Sequence, residues 1–234
     1  MPRLRARLVP LVPAMFALVM AGACDGGGGG GSDRPRAAAF DGAATLREAS
    51  AAMARLKSVN VRMSTADKPP IMVQGADIKL LKSGDAEGTL TVAQSGQTVE
   101  MKIVALGESI YLDAGTGGWR KVSKTLAAAM YDPSAALDPD RGIAKLLASA
   151  TGAKAEAEER IGGKDAYRVR ATLAKDDLGR LVPGIGEDVA GQVWVGKADH
   201  RLLKVKGNVP SNGKGTVTID FTEFDAPYKI SAPK

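Results

Sequence analysis

The feature that most constrains the fold is a period-two alternation of apolar and polar residues that begins at Val59 and recurs along most of the chain. In VNVRMS, residues 59–64, every second side chain is apolar. Strand-like runs follow at residues 74–82, 87–94, 97–105, 109–113 and 118–122. The connections between the runs are short and rich in Gly, Asp and Ser. This pattern predicts an antiparallel meander, because period two marks strands and short connections join antiparallel neighbours.

The second half of the chain returns to the same pattern after an interruption. EAEERIGGKDAYRVRATL, residues 156–173, predicts a hairpin that turns at residues 162–165. GQVWVGKADHRLLKVKG and GKGTVTIDFTEF predict three further strands. Helical spacing or Ala- and Leu-rich composition predicts four helices. They cover residues 43–58, 123–131, 142–151 and 175–182.

Together these elements predict an α+β protein with one large antiparallel sheet of ten or eleven strands. One face of each strand is apolar and the other polar, so the helices are expected to cover the apolar face. A sheet this wide cannot stay flat and curls into a half-barrel. Phe, Trp and Tyr make up only 4% of the residues. The residues alone leave two alternatives open, a tightly packed core of small side chains or a hydrophobic cavity.

The N-terminal 41 residues have a different character. Residues 1–23 predict a signal peptide, with three arginines followed by thirteen largely apolar residues, fewer than the roughly 18 to 20 that a transmembrane helix needs. The single cysteine, Cys24, follows three small residues in a pattern that resembles the lipobox of bacterial lipoproteins. That resemblance implies a diacylglyceryl cysteine and cleavage before Cys24, although an ordinary signal peptidase could cut the same bond.

The residues after Cys24 predict a flexible tether. Residues 24–41 are rich in Gly, Ser, Arg and Ala and show no apolar periodicity. A coil of this length spans about 20 to 25 Å. The tether would connect a lipid anchor at the outer face of the plasma membrane to one folded domain, residues 42–234.

Charge and motifs argue against several functions. Removal of residues 1–23 removes three arginines and no acid, so the net charge falls from +6 to +3. The sequence also has no run of basic residues interleaved with aromatic residues. Nucleic-acid binding is therefore not expected. His200 is predicted as a surface turn residue, and no nucleophile–base constellation suggests an enzyme, a metal site or a cofactor. The pairs Asp176–Asp177 and Glu158–Glu159 are predicted to be solvated. Trp119 and Trp194 are interpreted as sheet packing.

Three long stretches carry a resemblance to a known family. They are MYDPSAALDPDRGIAKLLASATGAKAEAEERIGGKDAYRVRATL, GQVWVGKADHRLLKVKG and VTIDFTEFDAPYKISAP. They resemble the LppX/LprAFG lipoproteins of actinobacterial cell envelopes, in particular the LprG-like branch, in order and over residues 46–233. The resemblance implies a half-barrel whose hydrophobic cavity holds acyl chains. It also implies transport of di- or triacylated lipids, glycolipids or triacylglycerol across the envelope, together with an efflux transporter.

The resemblance and the alternation also predict site residues. GTLTVAQ, residues 88–94, corresponds to a family strand at the cavity mouth, so Leu90 and Val92 are the expected entrance residues. The remaining candidates are apolar side chains that face the interior by alternation or by helix position, and each is equally compatible with a plain core. They are Met53, Val99, Met101, Ile103, Ile110, Leu112, Leu126, Met130, Ile143, Leu146, Leu147, Val169, Val193, Val195, Val217 and Ile219.

The sequence leaves three functional hypotheses. The first is a lipid carrier of the cell envelope without enzymatic activity. The second is a packed surface or regulatory subunit of an envelope transporter that binds no lipid. The third, a hydrolase of envelope lipids, is disfavoured because no catalytic constellation is present. Residues 174–188 diverge most from the family, which leaves the identity of the lipid open.

Overall fold

The computed structural model describes residues 39–94, 96–125, 135–209 and 215–234. All of them belong to one compact unit, Arg36–Lys234, which contains its own hydrophobic core. The predicted signal peptide, Cys24, most of the tether, Leu126 and Met130 lie outside the described residues. Within the described part of the chain, no helix is long and apolar enough to cross a bilayer.

In the described part of the chain, eleven antiparallel strands form a single open sheet, as predicted. The strands are β1 (Ser58–Ala66), β2 (Val73–Leu81), β3 (Ala86–Gln94), β4 (Gln97–Leu106), β5 (Ser109–Asp113), β6 (Arg120–Ser123), β7 (Thr151–Ile161), β8 (Lys164–Leu173), β9 (Val189–Gly196), β10 (Leu202–Val209) and β11 (Gly215–Thr222). Their order in the sheet is β6-β5-β4-β3-β2-β1-β11-β10-β9-β8-β7. Two meanders therefore meet where β1 pairs with β11, and β6 and β7 form the two edges.

Helix α1 (Gly42–Met53) begins where its sequence supplies a cap. The Asp41 carboxylate accepts hydrogen bonds from the backbone N–H groups of Ala43 and Ala44, at 2.8 and 3.1 Å. The helix was predicted to reach residue 58, but it ends at Met53. Ser58 instead begins β1, because it pairs with Leu81 of β2.

The predicted helix over residues 142–151 is shorter than expected. Helix α2 spans Ile143–Ala148, and Thr151 already begins β7, five residues before the predicted hairpin strand. The Ala-rich start of β7 is recruited by pairing with β8, which overrides its helical propensity. The pairing is interrupted between Thr151 and Lys154 and between Ala155 and Ala157. Such irregularities are common at exposed sheet edges.

The helices and the sheet share a core on the concave face. Helix α1 packs on α2 and on β7, β8 and β9, and the Ser50 hydroxyl donates a 2.8 Å hydrogen bond to the Ala144 carbonyl. Below them, Val169, Val193 and Val195 are completely buried. Helix α3 (Lys175–Leu181), predicted over residues 175–182, packs mainly on α2. The helices thus fill the concave side over the second meander.

The outer face is polar, but it also carries a small apolar cluster that the alternation did not predict. Ala166, Trp194 and Leu203 are buried there beneath Phe224. The Trp194 indole N–H donates a hydrogen bond to the Glu159 carboxylate, which is half-buried. The prediction that Glu159 is solvated was therefore wrong. The position of Trp194 agrees with its interpretation as a packing residue.

Candidate functional site

A cavity of about 600 Å³ lies between the concave face of the first meander and helices α2 and α3. Its walls come from β1 to β5, β10, β11, the two helices and the loops beside them. The lining residues are Val61, Met63, Met72, Val73, Ala76, Ile78, Leu80, Leu90, Val92, Ala93, Gln94, Met101, Ile103, Ile110, Leu112, Ala136, Ile143, Leu146, Leu178, Leu181, Val182, Pro183, Leu202, Val205, Ile219 and Phe221.

Strand register brings these residues to one face. Directly paired residues in neighbouring strands point to the same side of a sheet. Leu90 is paired with Met101, and Ile103 is paired with Leu112. Val61 is paired with Ile78 on one side and with Phe221 on the other. The cavity wall is therefore a continuous apolar surface across the centre of the sheet.

The chemistry of the lining is almost uniform. Among the described residues that line the cavity, Gln94 is the one with a polar side chain, and none is charged. The described residues contain no group of three or more His, Cys, Asp or Glu side chains that could hold a metal. An apolar ligand bound against this wall would remove apolar surface from water, which stabilises the bound state by roughly 25 cal/mol per Å². The described wall offers no group that would stabilise a buried charge. The described part of this wall is suited to contact with alkyl groups and contains neither a nucleophile nor a general base.

Exposed residues mark the mouth of the cavity. Met72, in the loop between β1 and β2, is 52% exposed although it lines the cavity. Ala93 and Gln94, at the end of β3, are also exposed, whereas Leu181 and Pro183 on the opposite rim are half-buried. The mouth therefore lies between the β1–β2 loop, the end of β3 and the chain that follows α3.

The structure divides the predicted site residues into two groups. Nine line the cavity: Leu90, Val92, Met101, Ile103, Ile110, Leu112, Ile143, Leu146 and Ile219. The second group is absent from the lining: Met53, Val99, Leu147, Val169, Val193, Val195 and Val217. Most of the second group is fully packed because α1 covers β7, β8 and β9 directly. The half-buried Val99 instead lies near the start of β4, where it is paired with Val92.

Sequence reasoning missed the contributions of β1, β2, α3 and the β1–β2 loop. The alternation in VNVRMS signalled that Val61 and Met63 face inward, but it did not distinguish cavity from core. A second expectation about a carboxylate was also wrong. Asp177 of α3 was predicted to be solvated, yet it is only 6% exposed. It accepts a 2.5 Å hydrogen bond from the Ser149 hydroxyl and a 2.9 Å hydrogen bond from the Arg180 guanidinium.

His200 lies in the turn between β9 and β10, as predicted. Its Nδ1 is 3.1 Å from a carboxylate oxygen of Glu48 on α1, and the side chain is partly exposed. The residue does not line the cavity. Within the described residues, its contacts are those of a turn that packs on a helix.

A family model described as LppX_LprAFG lipoprotein matches residues 41–230. The chain is 30% identical, over 229 residues, to a protein of Mycolicibacterium smegmatis named lipoarabinomannan carrier protein LprG, with 95% of this chain and 96% of the relative covered. A protein of the same name from Mycobacteroides abscessus is 28% identical, with 99% and 98% covered.

Two solved structures share the fold. The crystal structure of LprF from Mycobacterium bovis superposes with a TM-score of 0.73 at 20% identity, covering 82% of this chain and 96% of that one. The crystal structure of the Mycobacterium tuberculosis lipoprotein LppX gives 0.61 at 19% identity, covering 81% and 97%. Both similarities support the open half-barrel architecture.

Proposed function

Because the chain belongs to the LppX_LprAFG lipoprotein family, we propose that it is a lipid carrier of the cell envelope whose interior cavity holds acyl chains. One observation carries the proposal. The half-barrel leaves about 600 Å³ open, and Gln94 is the one described lining residue whose polar side chain interrupts the apolar wall. That volume is within the range of roughly 300 to 1,000 Å³ of small-molecule sites.

The free energy for binding comes from removing acyl chains from water. Each buried methylene contributes about 0.8 kcal/mol, so a single long chain supplies most of the affinity that a carrier needs. A charged or glycosylated head group finds no charged partner among the described lining residues and would lose its hydration inside. The head group therefore stays at the mouth, beside Met72 and Gln94.

The proposal also includes the kind of lipid that is carried, the membrane anchor and a transporter partner. The relatives named lipoarabinomannan carriers favour a glycolipid whose sugars remain outside the cavity, and di- or triacylated lipids and triacylglycerol share the same apolar part. Acylated Cys24 and the Gly-rich tether would hold the domain at the outer face of the plasma membrane. Cargo would then pass from the membrane, with an efflux transporter as partner, towards the outer envelope. No catalytic step is part of this function.

Mass spectrometry of bound lipid tests the proposal. The chain from residue 24 onward, with Cys24→Ala, is purified from an actinobacterial host, and solvent extracts are analysed. We expect near-stoichiometric lipid in the parent protein and clearly less in Leu90→Trp, because the larger side chain enters the cavity. The matched control is Thr89→Trp, since Thr89 is the neighbouring residue on the opposite face of β3. Lipid-free protein would contradict the proposal and favour the packed surface protein.

A further inference from the structure

The chain between β8 and β9, residues 174–188, forms one rim of the cavity mouth. We call it the α3 segment, since it contains α3 and the turn that follows. Four lining residues come from it: Leu178, Leu181, Val182 and Pro183. The ends of the segment are joined, because the Lys175 backbone N–H donates a 2.9 Å hydrogen bond to the Asp188 carboxylate. The segment is thus a compact loop that closes on itself and covers part of the cavity.

A buried carboxylate fastens this loop to the rest of the domain. Asp177 of α3 accepts the 2.5 Å hydrogen bond from Ser149, which follows α2. Its other carboxylate oxygen accepts from Arg180, one turn further along the same helix. Of these two contacts, only the Ser149 bond joins the segment to a different element. A hydrogen bond to a buried carboxylate is among the strong ones, so this contact adds to the apolar packing of Leu178, Val182 and Ile185 that holds the segment on the domain.

Near its C-terminal end, the α3 segment is in van der Waals contact with the opposite rim of the mouth. Gly184 has a φ of +97°, and a Cβ built on it would lie 3.4 Å from Cα and 3.6 Å from Cβ of Ile71. Ile71 is buried and directly precedes Met72, the exposed residue at the mouth. The two rims therefore meet at Gly184 and Ile71, where apolar contact closes one side of the opening.

We propose that the α3 segment is a lid over the cavity mouth and that the Ser149–Asp177 hydrogen bond is its latch. The inference rests on the proposed function, since a lid matters only if cargo enters the cavity. When the latch breaks, α3 moves away from α2, and Leu178, Leu181 and Val182 uncover the cavity. A helix of seven residues is not stable by itself, so such a segment opens locally at a lower free-energy cost than the sheet. Asp177 and Ser149 act as positioning residues that set the rate of cargo exchange.

The first test locks the lid. In the chain from residue 24 onward, which contains the whole compact unit, Cys24→Ala removes the native thiol, and Ile71→Cys with Gly184→Cys introduces two others. The 3.6 Å between the two Cβ positions fits a disulfide, which needs roughly 3.5 to 4.5 Å. The probe is a pyrene-labelled diacylglycerol supplied from phosphatidylcholine vesicles. We expect exchange at least about tenfold slower in the oxidised protein than in the same variant after reduction, which controls for strain at Gly184.

The second test weakens the latch. Ser149→Ala removes the hydroxyl donor and leaves the Asp177–Arg180 contact in place. Loss of a hydrogen bond to a charged group corresponds to roughly a tenfold change in an opening equilibrium, so we expect exchange about tenfold faster, with little change in the amount of probe bound at equilibrium. The matched control is Ser83→Ala. Ser83 also donates to an aspartate, Asp85, but in the β2–β3 turn at the opposite end of the sheet.

The outcomes separate the lid from the carrier function. The lid and the carrier function are both supported if the unlinked protein takes up the probe, the disulfide slows this uptake, and Ser149→Ala accelerates it. Uptake at the same rate in the oxidised and reduced forms, with cross-linking shown to be complete by mass, overturns the lid and leaves the carrier function standing. An unlinked protein that takes up no probe overturns both.

Discussion

Leu90 on β3 and Met101 on β4 are directly paired across the sheet, and both side chains line the cavity. Their pairing places two bulky apolar groups side by side below the mouth. Access to the deeper residues Ile103 and Ile110 passes this pair. The pair therefore offers a way to reduce the cavity without changing the fold.

Tryptophan at either position should weaken lipid binding. We expect Leu90→Trp and Met101→Trp each to lower the affinity for a long-chain lipid by about tenfold, which corresponds to the exclusion of roughly two methylene groups. The double variant should lose less than the product of the two effects, because both side chains fill the same space. Titration with a fluorescent lipid measures this. Fully multiplicative losses would mean that the two side chains act at separate places.

Adjacent leucines on α2 should differ in their contribution to stability. Both leucines are buried in the hydrophobic core, but only Leu146 also lines the cavity. We expect Leu147→Ala to lower the free energy of unfolding by about 3 kcal/mol and Leu146→Ala by about half as much, because the Leu146 side chain has fewer packing partners to lose. Urea unfolding of both variants measures the difference. Equal losses would indicate that the cavity is filled by protein in solution.

The N-cap of α1 should contribute measurably to stability. Asp41 accepts two backbone hydrogen bonds at the start of the helix. Asp41→Ala is expected to cost about 1 kcal/mol, and Asp41→Asn should cost much less, because asparagine retains the acceptor. Urea midpoints at constant m-value provide the measurement. A loss of equal size in both variants would assign the effect to charge rather than to capping.

An ion-pair network on the outer face should make stability depend on pH. Partial burial raises the pKa of Glu156, but hydrogen bonds from Gln192 and Arg170 lower it more, so its pKa is depressed overall. A depressed carboxyl pKa stabilises the fold above the unfolded value of about 4.3, and this contribution is lost as the pH falls through the folded value. Arg168 adds a second ion pair to the same carboxylate, at 3.1 Å.

Glu156→Gln is therefore expected to lower the free energy of unfolding by about 1 to 2 kcal/mol at pH 7 and by much less near pH 3. Urea unfolding at both pH values measures the change. Glu100→Gln serves as the control, since Glu100 is exposed on β4. A difference between wild type and Glu156→Gln that stays constant from pH 7 to pH 3 would contradict the role assigned to the charge.

The strands were predictable because their signal is local. Alternation between Val59 and Met63, or between Met101 and Ile103, is a property of neighbouring residues. It does not depend on which elements pack on the sheet. The boundaries near Ser58 and Thr151 were not predictable in the same way. There, pairing with Leu81 and with β8 decides between helix and strand, and those partners are distant in sequence.

The division of the concave face into core and cavity could not be predicted from alternation. Val169 and Ile103 have the same pattern, but α1 covers only the former. The approach of α1 is close, because a Cβ on Gly42 would lie 2.9 Å from the Ala155 backbone nitrogen. The burial of Asp177 was not predictable either, because Ser149, which donates a hydrogen bond to its carboxylate, is 28 residues away in the sequence. Both facts depend on tertiary packing, which a single sequence does not encode in a local pattern.

Photo-crosslinking tests the central claim most directly. A lipid with a diazirine near the end of its acyl chain is bound to the chain carrying Cys24→Ala, irradiated, and mapped by peptide mass spectrometry. Insertion of the chain into the cavity predicts adducts at its lining, such as Met101, Ile103, Leu146 and Leu178. Adducts confined to the outer face, around Trp194 and Phe224, would contradict the account.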